Sequence, residues 1–299
     1  MILQTIKQIS CLLCLCCFLQ QSAFSQDDKD KPAYTLFDNT GKQISYGELI
    51  KRLSGYDVIF LGELHNCPIT HWLEFEITRS IYNIHKDQLM LGAEMFESDN
   101  QLIFDEYMQQ KISYDRFEAE ARLWDNYRTD YYPVVFFAKE HHIPFIATNI
   151  PRRYANIVKN KGFEALDSLS EEAKRYIAPL PIDFEYDEAQ SAAAFSMMNM
   201  MGGRRAGDNR KLAQAQAIKD ATMGWFIARN IKNKFLHING SYHSNRQGGI
   251  IPYLLRYRPN TSIMTVTSVR QEYIRKLDDD HKGLADFYIC VPEDMVNSY

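Results

Sequence analysis

Val58-Ile59-Phe60-Leu61-Gly62-Glu63-Leu64-His65 combines the pattern of a buried strand with a Gly-x-x-His tetrad, and the pair recurs at Phe235-Leu236-His237-Ile238-Asn239-Gly240-Ser241-Tyr242-His243. Short runs of β-branched and aromatic residues predict strands buried on both faces. A glycine lets the backbone turn sharply off the end of each strand. In a parallel α/β sheet, the carboxyl ends of the strands border the ligand crevice. The two tetrads, about 180 residues apart, are therefore predicted to form one composite site.

The rest of the chain alternates between strand and helix patterns, which favours an α/β fold with a mostly parallel sheet flanked by helices. Strands are predicted at 34–37 (an edge strand), 57–61, 89–96, 144–148, 234–239, 261–269 and 285–291. Helices are predicted at 45–53, 70–84, 98–109, 113–122, 131–141, 213–231 and 249–257, and another starts at Pro151. Residues 160–210 interrupt this rhythm and are interpreted as a helical insertion.

Composition narrows the class of protein. The 299 residues are 45% hydrophobic and 24% charged, with a net charge of -4, which fits one globular domain. Because there is no basic stripe, nucleic acid is not predicted as a partner. No apolar run reaches the roughly 18 residues that a transmembrane helix needs.

The amino-terminal segment has the pattern of a signal peptide. A positive residue, Lys7, precedes an apolar stretch at 9–19, and Ala23-Phe24-Ser25 is a small-x-small cleavage site. Residues 1–25 are thus a predicted signal peptide, 26–43 a leader with the edge strand, and 44–299 a single domain. We expect export to the periplasm, outer membrane or cell envelope of a bacterium. The alternative is a lipoprotein signal, in which Cys16 or Cys17 would be lipidated and associate the protein with a membrane.

Two cysteines, Cys67 and Cys290, follow the predicted cleavage site. An oxidising compartment would permit a disulfide between them. Two isolated cysteines give no framework signature, so two free or buried thiols are the alternative.

Polar side chains follow each strong strand. They are Glu63 and His65, then Glu94, then Asn149 with Arg152 and Arg153, and finally Asn239, Tyr242 and His243. In a parallel sheet all of them face one crevice. A buried Glu94 needs a partner, and either arginine is a candidate. The alternatives without a functional role are a surface turn at Glu63-x-His65, a loop histidine at 243 and a solvated Arg153.

A metal site is a further alternative. His65, His243 and Glu94 offer three of the ligand types that zinc uses. Their spacing is not a local signature, and the sequence contains no HExxH, paired CxxC, P-loop, dinucleotide fingerprint or Gly-x-Ser-x-Gly elbow.

Taken together, these segments resemble the ChaN-type haem-binding proteins, within the wider group of erythromycin esterases and Tiki/TraB-like proteins. The resemblance covers roughly two thirds of the chain. It is carried by Gly62-Glu63-Leu64-His65, Leu91-Gly92-Ala93-Glu94-Met95-Phe96, Trp124-Asp125-Asn126-Tyr127 with Tyr132-Pro133, the stretch 143–153, the stretch 216–223, and Gly240-Ser241-Tyr242-His243 before 248–252.

The resemblance implies an appended helical lobe, haem bound near it, and a role in bacterial haem or iron acquisition. It also implies tyrosine ligation of haem and two haems paired across a homodimer. Phenolate suits ferric haem because it is a hard anionic donor. The cofactor-binding candidates are Tyr127, Tyr132, Tyr242 and Met198, although each tyrosine also fits a core role and the methionine fits adaptable packing.

The same resemblance implies an alternative function as a hydrolase, either metal-assisted or dependent on histidine and glutamate. Glu63 and Glu94 would then position a proton acceptor, and His65 or His243 would activate water. Arg152 would hold an anionic group of the substrate or steady Glu94.

Overall fold

A seven-stranded sheet forms the centre of the protein in the computed structural model, which describes residues 31–186 and 208–299. The strand order is β1-β7-β6-β2-β5-β3-β4, and every pair is parallel except β1 with β7. The strands are β1 Thr35–Asp38, β2 Val58–Glu63, β3 Leu89–Glu97, β4 Phe145–Asn149, β5 Lys234–Gly240, β6 Ile263–Gln271 and β7 Phe287–Pro292. The predicted mostly parallel α/β sheet is confirmed, with the antiparallel strand at its edge.

Helices cover both faces of the sheet. They are α1 Tyr46–Leu53, α2 Pro68–His85, α3 Gln101–Met108, α4 Tyr114–Glu120, α5 Tyr132–Glu140, α6 Arg152–Lys161, α7 Glu171–Lys174, α8 Asn209–Asn230 and α9 Ile250–Tyr257. Ile59 and Leu61 of β2 pack in the core that contains α1 to α5. Val58 and Phe60 point the other way, into the core formed with α8 and α9. Both faces of the central strands are buried, which explains their unbroken apolar runs.

Local signals fix where several helices start. Ser45 caps α1, because its Oγ accepts a hydrogen bond from the Glu48 N–H at 3.1 Å. Pro68 lies in the first turn of α2, where its missing N–H costs nothing. Pro151 directly precedes α6, as the sequence indicates.

The region of the predicted insertion is described only in part. After α6 come a 3-10 helix at Phe163–Ser168 and the short α7, and a separate small core joins them to α8. Ile150, Val158 and Ile218 belong to that core. Met198 lies outside the described residues, and so does the predicted signal peptide. The segment from Tyr34 to Tyr299 forms one compact unit.

Cys67 and Cys290 are both buried and free, so the alternative of two buried thiols is confirmed and the disulfide is not formed. Cys67 packs in the core with α1 to α5, whereas Cys290 packs in a separate core with Phe37 and Tyr288. No helix within 31–186 or 208–299 has both the length and the apolar character needed to cross a bilayer.

Candidate functional site

The two tetrads lie side by side at the carboxyl edge of the sheet. β2 and β5 pair in parallel, with Gly62 opposite Asn239 and Glu63 opposite Gly240. β3, which carries Glu94, pairs with the other side of β5. The three polar strand ends are therefore neighbours in the sheet, as the parallel arrangement requires.

Gly240 is the point where the two tetrads meet. Its backbone N–H donates to Glu94 Oε2 at 2.8 Å. A Cβ placed on it would lie 2.7 Å from His65 Nε2 and 3.4 Å from Glu94 Oε2. Only a glycine allows the His65 ring and the Glu94 carboxylate to approach the β5 backbone this closely.

His243 is held between two carboxylates. Its Nε2 lies 3.3 Å from Glu94 Oε1 and its Nδ1 lies 2.5 Å from Asp220 Oδ1 on α8. All three side chains are buried. Burial alone would lower the pKa of His243, but the charges of Glu94 and Asp220 raise it to about 10. Burial would raise the pKa of Glu94, but the nearby His243 holds it well below its usual range. The two carboxylates therefore favour the protonated form of His243, while burial raises the pKa of Asp220.

A backbone irregularity lies at Glu94. The register between β3 and β4 shifts between Ala93 and Glu97. The Asn149 amide nitrogen donates to the freed carbonyl of Glu94 at 2.8 Å. Asn149, which the sequence places at a strand end, thus satisfies the backbone of Glu94.

Among the described residues, the His65 ring has a hydrogen-bond partner at Nδ1. Its Nδ1 lies 2.6 Å from Glu63 Oε1, which also accepts a hydrogen bond from the Tyr131 hydroxyl at 2.8 Å. The His65 side chain is 28% exposed. Its ring makes an edge-to-face contact with Trp124, which covers one side of it. Burial would lower the pKa of His65, but the hydrogen bond and charge of Glu63 raise it above its ordinary value. Nδ1 is engaged by Glu63, and Nε2 lies close to Gly240.

Another buried histidine, His71, contacts the backbone of His65. His71 Nδ1 is 3.0 Å from Glu74 Oε2 and 3.7 Å from Glu63 Oε2, and its Nε2 is 3.1 Å from the His65 carbonyl oxygen. Burial would lower the pKa of His71, but the charges of Glu74, Glu63 and Asp130 raise it to about 10. Burial also raises the pKa of Glu74.

Among the described residues, Glu63, His71 and Glu74 form a group that could hold a metal ion. Their potential ligand atoms all lie within 4.8 Å of one another. This trio differs from the predicted ligand set of His65, His243 and Glu94. In the predicted set, Glu94 and His243 already pair with each other at 3.3 Å.

The expectation that an arginine neutralises Glu94 was wrong. Arg152 is 78% exposed and lies 3.8 Å from Glu97 Oε1 instead. Arg153 pairs with Asp99, 2.5 Å away. α6 starts beyond the end of β4, so its first residues reach the outer rim rather than the buried carboxylate. With Arg122 they line a surface cavity of about 430 Å³.

The candidate tyrosines differ in access. Tyr127 is buried among aromatic rings, and its hydroxyl has no hydrogen-bond partner among the described residues. Tyr132 is half-buried and contacts Tyr114. Tyr242 is 38% exposed and its ring lies against His243. Of the three, Tyr242 is the most accessible to a planar ligand.

Sequence reasoning missed Asp220 and the chemistry of His71 and Glu74. Each lies inside a helix, away from the strand ends that guided the search. One signal was present: Asp220 interrupts a stretch of α8 in which Ile218, Ala221 and Met223 are all buried. A charged residue on the apolar stripe of a helix needs a buried partner.

Comparison with known proteins agrees with this architecture. The family described as haem-binding uptake, Tiki superfamily, ChaN matches residues 49–254, which include both tetrads, Glu94 and Asp220. The chain belongs to this ChaN family. No curated protein matches the sequence.

Solved structures of similar fold include a ChaN protein of Campylobacter jejuni, whose structure concerns cofacial haem binding. It is 20% identical, with a TM-score of 0.67 over 88% of this chain and 97% of that one. A mutant of the erythromycin esterase EreC in its open conformation is 12% identical, with a TM-score of 0.45 over 86% and 83% of the two chains. The type III effector HopBA1 is also 12% identical, with a TM-score of 0.45 over 82% and 92%.

Proposed function

We propose that this ChaN-family chain is an exported haem-binding protein that serves haem or iron acquisition in a bacterial envelope. The observation that carries the proposal is the family match over 49–254, which spans every strand end of the candidate site. The relative from Campylobacter jejuni binds haem cofacially, and the proposal extends this mode to a homodimer of the present chain.

Tyr242 is the residue proposed to hold the haem iron. It is 38% exposed, at the end of β5, and a phenolate is a suitable donor for ferric haem. Tyr127 fits this role less well because its hydroxyl is buried in an aromatic core.

Haemin titration of the purified protein tests the proposal. We expect a shifted Soret band that saturates in wild type, weakens in Tyr242→Phe and persists in Tyr273→Phe, a control at another exposed tyrosine. A wild-type protein that leaves the haemin spectrum unchanged at micromolar concentration would overturn haem binding. Equal spectra for both variants would overturn the assignment to Tyr242.

Export is the second element of the proposal. It is supported by Lys7, the apolar stretch that follows it and the Ala23-Phe24-Ser25 pattern. Mass spectrometry of the protein from a fractionated bacterium should give an amino terminus at Gln26, or a lipidated cysteine at 16 or 17. An intact amino terminus in the cytoplasmic fraction would contradict export.

A hydrolase is the alternative function, and a specific feature of the site favours it. His65 has its Nδ1 fixed by Glu63, and a carboxylate that orients the ring in this way is typical of a histidine general base. Glu94 and His243 lie at the same carboxyl edge of the sheet.

A panel of esters and peptides, with and without divalent metal, should show turnover that His65→Ala and His243→Ala each abolish. Unaltered rates in both variants would exclude this centre.

A further inference from the structure

The cluster next to His65 contains two buried carboxylate oxygens that lack a hydrogen-bond donor among the described residues. Glu63, His71 and Glu74 are all buried, at the end of β2 and in the first half of α2. Two of their carboxylate oxygens, Glu63 Oε2 and Glu74 Oε1, have no hydrogen-bond partner among the described residues. A buried carboxylate oxygen without a partner is costly, so its presence needs a physical reason.

The tautomer of His71 follows from its neighbours. Its Nε2 lies 3.1 Å from the backbone carbonyl oxygen of His65. A carbonyl oxygen can only accept, so Nε2 carries a proton and donates it. Asp130 Oδ2 lies 3.4 Å from the same nitrogen and reinforces this orientation. A neutral His71 therefore presents the lone pair of Nδ1 to the two glutamates.

A single proton cannot satisfy this arrangement. A proton on His71 Nδ1 would serve Glu74 Oε2 at 3.0 Å but would leave Glu63 Oε2, at 3.7 Å, without a donor. The other oxygen of Glu63 already accepts hydrogen bonds from His65 and Tyr131. A second proton, held on Glu74 because burial raises its pKa, would supply the missing donor to Glu63. A cation coordinated by all three groups would take the place of both protons and satisfy the cluster at once.

The distances suit a metal ion. With bonds of about 2.0–2.2 Å to nitrogen and oxygen, the ligand atoms around a metal lie roughly 3–3.6 Å apart. The separations of 3.0 and 3.7 Å from His71 Nδ1 lie close to this range. A metal-binding histidine also donates its other N–H to a carbonyl or carboxylate, as Nε2 of His71 does.

We propose that Glu63, His71 and Glu74 form a binding site for one divalent first-row metal ion, of the Mn²⁺, Fe²⁺ or Zn²⁺ class. One imidazole with two carboxylates favours these ions over Ca²⁺ and Mg²⁺, which prefer oxygen ligands alone. The site is independent of haem. It shares Glu63 with the crevice, because one oxygen of that carboxylate faces the metal and the other holds His65.

Calorimetric titration of the full-length, haem-free protein with Zn²⁺ and with Mn²⁺, after removal of metal by a chelator, tests this site. We expect one equivalent per chain for wild type, and an affinity weaker by about tenfold or more in Glu74→Gln. Glu76→Gln is the matched control, because Glu76 lies on the same helix and pairs with Arg79. It should bind like wild type.

Two results would overturn the site: the absence of stoichiometric binding to wild type, or equal binding by wild type and Glu74→Gln. Loss of binding in His243→Gln with retention in Glu74→Gln would also overturn it, and would assign the metal to the set predicted from the sequence. Should Glu74→Gln fail to fold by circular dichroism, anomalous scattering from a Mn²⁺- or Zn²⁺-soaked wild-type crystal decides. A peak between the three side chains supports the proposal, and a peak elsewhere overturns it.

Discussion

His65 and His243 end two tetrads of identical spacing, yet the fold holds them in different ways. His243 is buried with a carboxylate at each ring nitrogen, Glu94 at one and Asp220 at the other. His65 is 28% exposed, with a carboxylate at Nδ1 and its Nε2 directed toward Gly240. The same local sequence pattern therefore provides a buried histidine paired at both ring nitrogens in one place and a partly exposed histidine in the other.

The difference comes from what packs against each tetrad. β5 lies between β2 and β3, so the turn after it is covered by α8, which supplies Asp220. The turn after β2 faces Trp124 and Tyr131, which restrict the His65 region without closing it. Spacing determines where each histidine lies, and tertiary packing determines its chemistry.

The largest expected contrast is in stability. His243→Ala should lower the free energy of unfolding by about 3–5 kcal/mol, because it leaves Glu94 and Asp220 buried without a cation. His65→Ala should cost about 1 kcal/mol or less, because that ring is partly solvated. Urea denaturation of both variants measures the difference. Equal losses would mean that the two histidines are held alike.

The pH dependence of stability tests the buried charge. The folded pKa of His243 is about 10, and its unfolded value is near 6.5, so the folded state binds more protons between these values. Its stabilisation is complete below pH 6.5 and is lost as pH rises toward 10. We expect the stability of wild type to fall across this interval. His243→Gln should reduce the slope by up to about 1.4 kcal/mol per pH unit. An unchanged slope would show that His243 is neutral in the folded protein.

Gly240 tests whether the tetrads are in contact. Gly240→Ala should cost about 1–3 kcal/mol, because the new methyl group would overlap the His65 ring. Gly55→Ala is the control, since its Cβ would meet only the Arg52 carbonyl oxygen at an ordinary 3.6 Å. Thermal or urea unfolding measures both variants. A neutral Gly240→Ala would place His65 away from β5.

The smallest effect is expected at the outer rim. Arg152→Ala should change the stability by less than about 0.5 kcal/mol, because the side chain is 78% exposed and its partner Glu97 also pairs with Arg122. A loss above 1.5 kcal/mol in urea denaturation would mean that Arg152 supports the buried site after all.

Most of the framework was predictable from the sequence, because strands buried on both faces read as continuous apolar runs. The same patterns predicted that Glu63, Glu94 and His243 face one crevice, since parallel strands share a carboxyl edge. The identities of the partners were not predictable. Glu94 is paired by His243 rather than an arginine, and this depends on which way α6 leaves the sheet. Asp220 and Glu74 lie within helices, where an acid is usually solvated, and only packing reveals that they are buried.

The most direct test of a shared site is the pKa of His65, measured by NMR titration of its ring protons in wild type and in Glu94→Gln. Glu94 is one of the charges that raise the pKa of His65, although it belongs to a different strand. We expect the pKa of His65 to fall in Glu94→Gln and to stay at the wild-type value in Glu97→Gln, the next acid along β3. A His65 pKa that does not respond to Glu94→Gln would contradict the account, because the two strand ends would then not form a common site.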